Sequence, residues 1–226
     1  MKTKFFTFNA FQQRCIVVWD ETGKCTIIDP GFYNEKERDE LFGFIRDKRL
    51  QPQCIMMTHG HFDHIFGMCE SAVTFNVPIY MNLADMVIIK EANPYLCRAY
   101  GLKEPELQYN GKEPEYINIK EGEVIKVGEM EFEVIETPGH TPGGVCFLER
   151  KERILISGDT LFAGAIGRTD NQWGDYDKLI EGINAKLMIL EGDIDVIPGH
   201  GPTSSIAQEG TTNPFLLPFN LPYEEE

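Results

Sequence analysis

Thr58-His59-Gly60-His61-Phe62-Asp63-His64 follows the apolar run Cys54-Ile55-Met56-Met57 and packs three imidazoles and one carboxylate into the six positions from His59 to His64. A short apolar run of that kind reads as a buried strand, and a glycine among polar residues marks the loop that ends it. His59 and His61 are two apart, so in an extended segment their side chains point the same way. Asp63 and His64 fall where the next helix would begin. One short loop thus offers ligands in two directions, which suits two neighbouring metal ions better than one.

Taken singly, each of these residues has an ordinary explanation. A lone histidine is most often a satisfied polar side chain, and Asp63 alone would pass as the N-cap of the following helix. Together they resist it, because adjacent unpaired imidazoles cost desolvation energy if buried and no packing need calls for them. The chain has five histidines in all. The other two, His140 and His200, also stand among glycines and prolines behind apolar runs.

Outward from this loop, residues 5–8, 14–19 and 25–28 read as an antiparallel meander with Thr22-Gly23 at a hairpin turn, stopped by Asp29-Pro30-Gly31. Residues 34–49 read as a helix capped by Asn34, and a short helix is expected over residues 65–71. A strand at 77–80 and a helix at 83–92 follow. Residues 93–114 hold three prolines and several charges, and read as a surface insertion, either a solvated loop or a flap over a pocket. Strands return at 116–119, 124–127, 130–135, 145–148 and 154–156. An amphipathic helix at 176–190 precedes a last strand at 194–197. Mixed strands and helices in this order suit two sheets covered by helices on their outer faces. No boundary divides the chain, so one domain is expected over residues 1–226, with a C-terminal helix and tail at about 203–226.

The 226 residues are enough for a sizeable core, and 42% hydrophobic content is that of a globular chain. A formal charge of −15 repels a phosphate backbone and argues against nucleic-acid partners. No apolar run reaches the length of a membrane span, and the N-terminus lacks the pattern of a signal peptide. The six scattered cysteines then read as reduced core thiols, and the expected location is the cytoplasm.

Four strand ends carry candidate ligands: the His59 loop, His140, Asp159 and His200. Strand ends along one rim of a sheet lie close in space, and five imidazoles with two carboxylates suit zinc or another borderline first-row ion. The set resembles the metallo-β-lactamase superfamily, whose signature is His-x-His-x-Asp-His followed by His, Asp and His. The resemblance runs from about residue 5 to 202. It implies an α/β (α+β) fold, the αβ/βα four-layer sandwich of two mixed β-sheets flanked by helices. It also implies two divalent ions, zinc first, with iron or manganese as alternatives. One would sit on His59, His61 and His140 and the other on Asp63, His64 and His200, with Asp159 bridging them.

Within the superfamily, the run Gly158-Asp159-Thr160-Leu161-Phe162, continuing to Ile166-Gly167-Arg168-Thr169-Asp170, is similar to the compact bacterial glyoxalase II-like proteins, as is Thr212-Asn213-Pro214-Phe215. That branch implies hydrolysis of a small-molecule thioester or ester, of the S-2-hydroxyacylglutathione type, by a metal-bridging hydroxide that Asp63 helps to orient. Two departures bear on glutathione. The helical domain that holds it in full-length glyoxalase II has no counterpart after His200, and position 144 is Gly where many relatives have His or Ser. Arg168 is a candidate substrate contact, with a salt bridge to Asp170 as its structural alternative. Three other readings share the signature: a mononuclear Fe(II) persulfide dioxygenase on His59, His140 and Asp159, a lactonase, and a non-catalytic metal-binding protein that docks partners through the tail at 215–219. Oligomeric state is not written in these motifs.

Overall fold

The computed structural model describes residues 1–217. Pro218, Phe219 and the end of the tail at residues 223–226 lie outside the described residues. Strands β1 (Lys2–Phe8), β2 (Gln13–Trp19) and β3 (Lys24–Ile28) form the expected meander. Helix α1 (Glu35–Asp47) crosses to β4 (Gln51–Met56), which pairs parallel to β3. Asn34 caps α1 by accepting a bond from the amide of Glu37, the usual way a short polar side chain satisfies an open helix end. Helices α2 (Phe62–Ile65) and α3 (Met68–Phe75) follow, then β5 (Ile79–Met81), which is parallel to β4. The single helix expected at 65–71 is therefore two. They divide at Gly67, where any Cβ would lie 2.2 Å from the Phe32 ring.

The helix expected at 83–92 is a 3-10 turn, Leu83–Asp85, and a π turn, Ile88–Ala92, leading directly into α4 (Asn93–Tyr100). Pro94 prompted the irregular reading of residues 93–114, but it sits in the first turn of α4, where a missing N–H is tolerated. The wide π turn, with the Asn93 amide bonded to Ile88 O, absorbs the join. Gly101 ends α4 in the left-handed region (φ 67°).

Strand β6 (Tyr116–Asn118) completes the first sheet, in the order β1-β2-β3-β4-β5-β6. The second sheet uses β7 (Val124–Val127), β8 (Met130–Glu136), β9 (Val145–Glu149), β10 (Ile154–Gly158), β13 (Asp195–Pro198) and β14 (Ser204–Ser205), in the order β14-β13-β10-β9-β8-β7. The small hairpin β11 (Leu161–Phe162) and β12 (Ala165–Ile166) lies after β10. Helix α5 (Tyr176–Gly182) passes into a π turn, Ile183–Leu187, and α6 (Ile206–Thr212) follows β14.

Period-two alternation builds the layers. In β2, Cys15 and Val17 join Leu41, Ile45, Met68 and Ala72 of α1 and α3 on the outer face, while Ile16 and Val18 face the second sheet. In β9, Val145 and Phe147 face inward, and Cys146 and Leu148 pack on Leu179 of α5 and Ile183 of the π turn after it. The result is helix, sheet, sheet, helix. Both sheets are mixed, each with parallel pairs beside antiparallel ones. All six cysteines are buried and unpaired. Among the described residues no helix is long and apolar enough to cross a membrane.

Candidate metal centre

Four strands end at one rim and deliver the candidate ligands. The loop after β4 carries His59 and His61, and Asp63 and His64 lie in α2. The loop from β8 to β9 carries His140, β10 runs into Asp159, and β13 runs into His200. Backbone bonds stitch these ends together: Val145 N donates to Thr58 O (2.9 Å) and Arg14 N to Gly199 O (2.7 Å) across the two sheets, and Gly199 N to Gly158 O (2.8 Å) within the second. The close approach leaves no room for a side chain at Gly199, whose Cβ would stand 2.4 Å from Asp159 Oδ1 and 2.7 Å from His64 Cε1.

The seven side chains converge. His59, His61 and His140 form one group whose ligand atoms lie within 4.8 Å of one another, and Asp63, His64 and His200 form a second. Asp159 lies between them. Its Oδ2 is 3.9 Å from His59 Nε2, 3.6 Å from His140 Nε2 and 3.6 Å from His200 Nε2, and its Oδ1 is 3.5 Å from His64 Nε2. Asp63 Oδ2 is 3.3 Å from His200 Nε2.

Four imidazoles are aimed by what holds their other nitrogen. His140 Nδ1 donates to Arg168 O (2.8 Å) and His200 Nδ1 to Phe11 O (3.0 Å), which places a proton on each Nδ1 and turns each Nε2 toward the cluster. His64 Nδ1 donates to Asp29 Oδ2 (2.9 Å). Thr58 Oγ1 donates to the same Oδ2 (2.6 Å), so it accepts from His59 Nδ1 (3.0 Å). The buried Nε2 atoms of His59 and His140, and Asp159 Oδ1, have no hydrogen-bond partner. Buried polar atoms are almost always satisfied, so inward-facing lone pairs left open on a borderline-soft donor set fit a first-row metal ion.

Electrostatics divides the imidazoles. Burial, then His64, holds His59 well below the ordinary imidazole range. Burial and then His140 press His61 down to about 3, and burial also lowers His140. Burial would lower His64 too, but Asp159 and Asp63 outweigh it and hold its proton on. His200 is raised against its burial by the bond to Asp63 and the charge of Asp159. Asp159 lies well below the usual carboxylate range and Asp63 is lowered. In both, His64 leads the charges that overcome the burial penalty.

Two carboxylates behind the cluster escaped the sequence reading. Asp29 looked only like a strand stop, yet it is buried, takes the Thr58 amide on Oδ1 (2.8 Å), and serves His64 and Thr58 through Oδ2. Asp85 looked like an ordinary helix residue. It is fully buried and joins the two histidine loops, accepting from Gly60 N (2.7 Å), Thr141 Oγ1 (2.8 Å) and Gly143 N (2.5 Å). Burial raises its pKa to about 6, against the pull of these bonds. An acidic residue followed by Pro-Gly at a strand end, as at Asp29, was the one available signal.

The cluster opens into a pocket of about 780 Å³. Tyr95, Leu96 and Tyr100 of α4 line it, so this part of the 93–114 segment is a wall of the pocket. Arg168 also lines it, and its guanidinium makes two bonds to Asp170 (2.8 and 3.3 Å), the salt bridge weighed from the sequence.

Comparison with known proteins agrees with this architecture. The chain is 35% identical over 221 residues to hydroxyacylglutathione hydrolase GloC of Haemophilus influenzae, covering 96% of this chain and 98% of that protein. Its structure is similar to that of BLEG-1, a B3 metallo-beta-lactamase, with a TM-score of 0.84, 31% identity, and 95% and 99% of the two chains covered. It is also similar to TTHA1623 in a di-iron-bound form, with a TM-score of 0.80, 31% identity, and 94% and 100% covered. The family model for the metallo-beta-lactamase superfamily matches residues 8–205, and with the four-layer sandwich and the ligand rim already in view, the chain belongs to that superfamily.

Proposed function

We propose that this protein is a metal-dependent thioester hydrolase with a two-metal centre. His59, His61 and His140 would hold one ion and Asp63, His64 and His200 the other, with Asp159 reaching both. The observation that carries the reading is the set of imidazole lone pairs, each aimed from behind, that converge on Asp159 at the floor of a pocket. Two divalent ions bound there, zinc first, would acidify a water and polarise the substrate carbonyl.

The chain's own residues do the rest. Asp63, held ionised by His64 and the His200 bond, presents a carboxylate oxygen that accepts a hydrogen of the attacking water and orients it. The Nδ1 bonds hold four imidazoles in register, so their orientation is set before the reaction begins. The pocket lining offers no lysine, and its arginine is paired with Asp170. A leaving group that needs protonation therefore finds no cationic donor, whereas a thiolate leaves without one. The likeness to GloC makes S-2-hydroxyacylglutathione esters the first substrates to assay.

A second reading has its own support. His59, His140 and Asp159 also make a two-histidine-one-carboxylate set, the kind used by Fe(II) oxygenases. Anaerobic purification with metal quantification separates the two, followed by a panel of thioesters, lactones and a β-lactam, and by oxygen uptake with glutathione persulfide. The expected result is two metal ions per chain and thioester hydrolysis that His59→Ala abolishes. A single iron with persulfide-dependent oxygen uptake, or metal-loaded protein inert to every thioester, overturns the proposal.

A further inference from the structure

The wall of the pocket that faces the cluster is built of rings. Helix α4 and the turn before it present Glu91, Tyr95, Leu96 and Tyr100 to the pocket, with Glu91 and Tyr95, and Leu96 and Tyr100, each four positions apart and so neighbours on the helical surface. The opposite face of the same helix is anchored. Asn93 and Cys97 are fully buried, and Asn93 Nδ2 donates to Gly60 O (2.9 Å), the carbonyl between His59 and His61. The rings of α4 are thereby fixed relative to the metal-binding loop. Phe11, from the β1–β2 connection, stands edge-on to both Phe62 (5.1 Å, 80°) and Tyr100 (5.4 Å, 79°). Trp173 closes the wall from the loop before α5. Tyr95 is 67% exposed and Tyr100 56%, so apolar ring surface lies open to water beside the reacting centre, where a ligand would cover it.

The charges lining the pocket point the same way. Outside the His/Asp cluster they are Arg168 and Glu91. Arg168 gives two bonds to Asp170, and Glu91 repels anions. A glutathione moiety carries two carboxylates, and the lining residues supply no unpaired lysine or arginine to receive them.

Resting on the thioesterase reading of the centre, we infer that the ligand of this pocket carries an aromatic or similarly bulky apolar group close to the reacting carbonyl. That group is seated on Tyr95, Tyr100, Phe11 and Trp173, and the glutathione peptide is not the recognised part. The ring can belong to the acyl group or to the thiol.

The test uses the metal-loaded full chain and three pairs of thioesters. Lactoyl against 3-phenyllactoyl on N-acetylcysteamine places the ring on the acyl side. The lactoyl esters of N-acetylcysteamine and 2-phenylethanethiol place it on the thiol side. Lactoylglutathione against lactoyl-N-acetylcysteamine reads the peptide. A ring in one of the two positions raises kcat/KM about tenfold or more, the scale of one well-packed aromatic contact set, and glutathione changes it by less than about threefold. Tyr95→Ala and Trp173→Ala each erode the ring preference. Glutathione favoured more than tenfold, with no gain from either ring, overturns the inference.

A binding arm keeps this separate from the thioesterase reading. The metal-free protein is titrated with the 2-phenylethyl and methyl thioethers of N-acetylcysteamine, neither of which can be hydrolysed. Quenching of Trp173 is followed, with Trp173→Phe subtracting the signal of Trp19, the other of the two tryptophans. Tighter binding of the phenyl compound without turnover of any thioester upholds the ring wall and sinks only the thioesterase reading. Equal binding of the two thioethers counts against the ring wall whatever the turnover.

Discussion

Asp29→Asn replaces one heavy atom and separates the two halves of the proposed metal centre. The Thr58 amide donates to Asp29 Oδ1 (2.8 Å) and, as backbone, cannot turn away. An asparagine there must keep its oxygen at the Oδ1 position and put its NH2 at Oδ2. That NH2 then points at His64 Nδ1, 2.9 Å away, and at Thr58 Oγ1, 2.6 Å away. Two donors cannot face each other, so His64 shifts to the tautomer with its proton on Nε2, the nitrogen that faces Asp159 and His200. A metal ion at Asp63, His64 and His200 would have to displace that proton and break the new bond. Removal of such a partner behind a ligand typically weakens metal affinity about 10- to 100-fold, or about 1.4–2.7 kcal/mol. His59 is affected less, because Thr58 Oγ1 still has lone pairs to accept its Nδ1–H.

The assay is zinc competition against a chromophoric chelator, with both binding steps resolved. One step should weaken by the stated factor in Asp29→Asn while the other stays within about threefold. Thr58→Val should do the converse, since it removes the hydroxyl that holds His59 and leaves the amide bond to Asp29. Equal loss at both steps in Asp29→Asn, or no loss at either, would refute the tautomer argument. Far-ultraviolet circular dichroism of the metal-free variants distinguishes equal loss by misfolding from equal loss by chemistry.

Gly199→Ala puts a methyl carbon 2.4 Å from Asp159 Oδ1 and 2.7 Å from His64 Cε1. His64 is held from behind by Asp29 and Asp159 is buried within the cluster, so this overpacking should cost about 1–3 kcal/mol of stability and most of the metal bound at the second group, read by urea unfolding and metal content. The metal-free protein should be most stable near the ordinary imidazole pKa of about 6.5. His59, His61 and His140 are lowered in the folded chain, so their contribution is present above that pH and is lost as pH falls through their folded values. His64 and His200 are raised, so theirs is present below it and is lost as pH rises through their folded values. Chelator-treated protein unfolded in urea from pH 4 to 9 should trace that maximum, and a stability that climbs steadily to pH 9 contradicts the assignment of His64 and His200.

What the sequence made legible follows from how each feature is encoded. The seven candidate ligand positions stood out because imidazoles and carboxylates clustered at the ends of apolar runs have no packing explanation. The layers were legible from the order of strands and helices, and the continuous apolar runs of β2 and β9 fill both faces, sending Cys15 and Val17 one way and Ile16 and Val18 the other. Helix α4 was missed because Asn93-Pro94 reads locally as a break. The chain absorbs the proline with a π turn, and Asn93 is spent on Gly60 O, a partner 33 positions away. Asp85 was missed for a similar reason, since it receives bonds from residues 25, 56 and 58 positions away.

These long-range partners share one physical role. A metal ligand is recognisable by its chemistry wherever it stands, whereas a residue that aims a ligand is recognisable only by what lies behind it. Asp29, Asp85 and Asn93 each hold the loop from Thr58 to Gly60 from a different direction: Asp29 through the Thr58 amide and hydroxyl, Asp85 through Gly60 N, and Asn93 through Gly60 O. Gly60 has both its backbone groups committed, and a Cβ there would meet Asp85 at 3.0 Å. The loop that carries the family signature is thus constrained from three sides. Helix α4 is tied to it by the Asn93 amide on Gly60 O, whereas its pocket-lining rings, Tyr95 and Tyr100, make none of these bonds, so candidate ligands can be read from sequence without revealing what the rings receive.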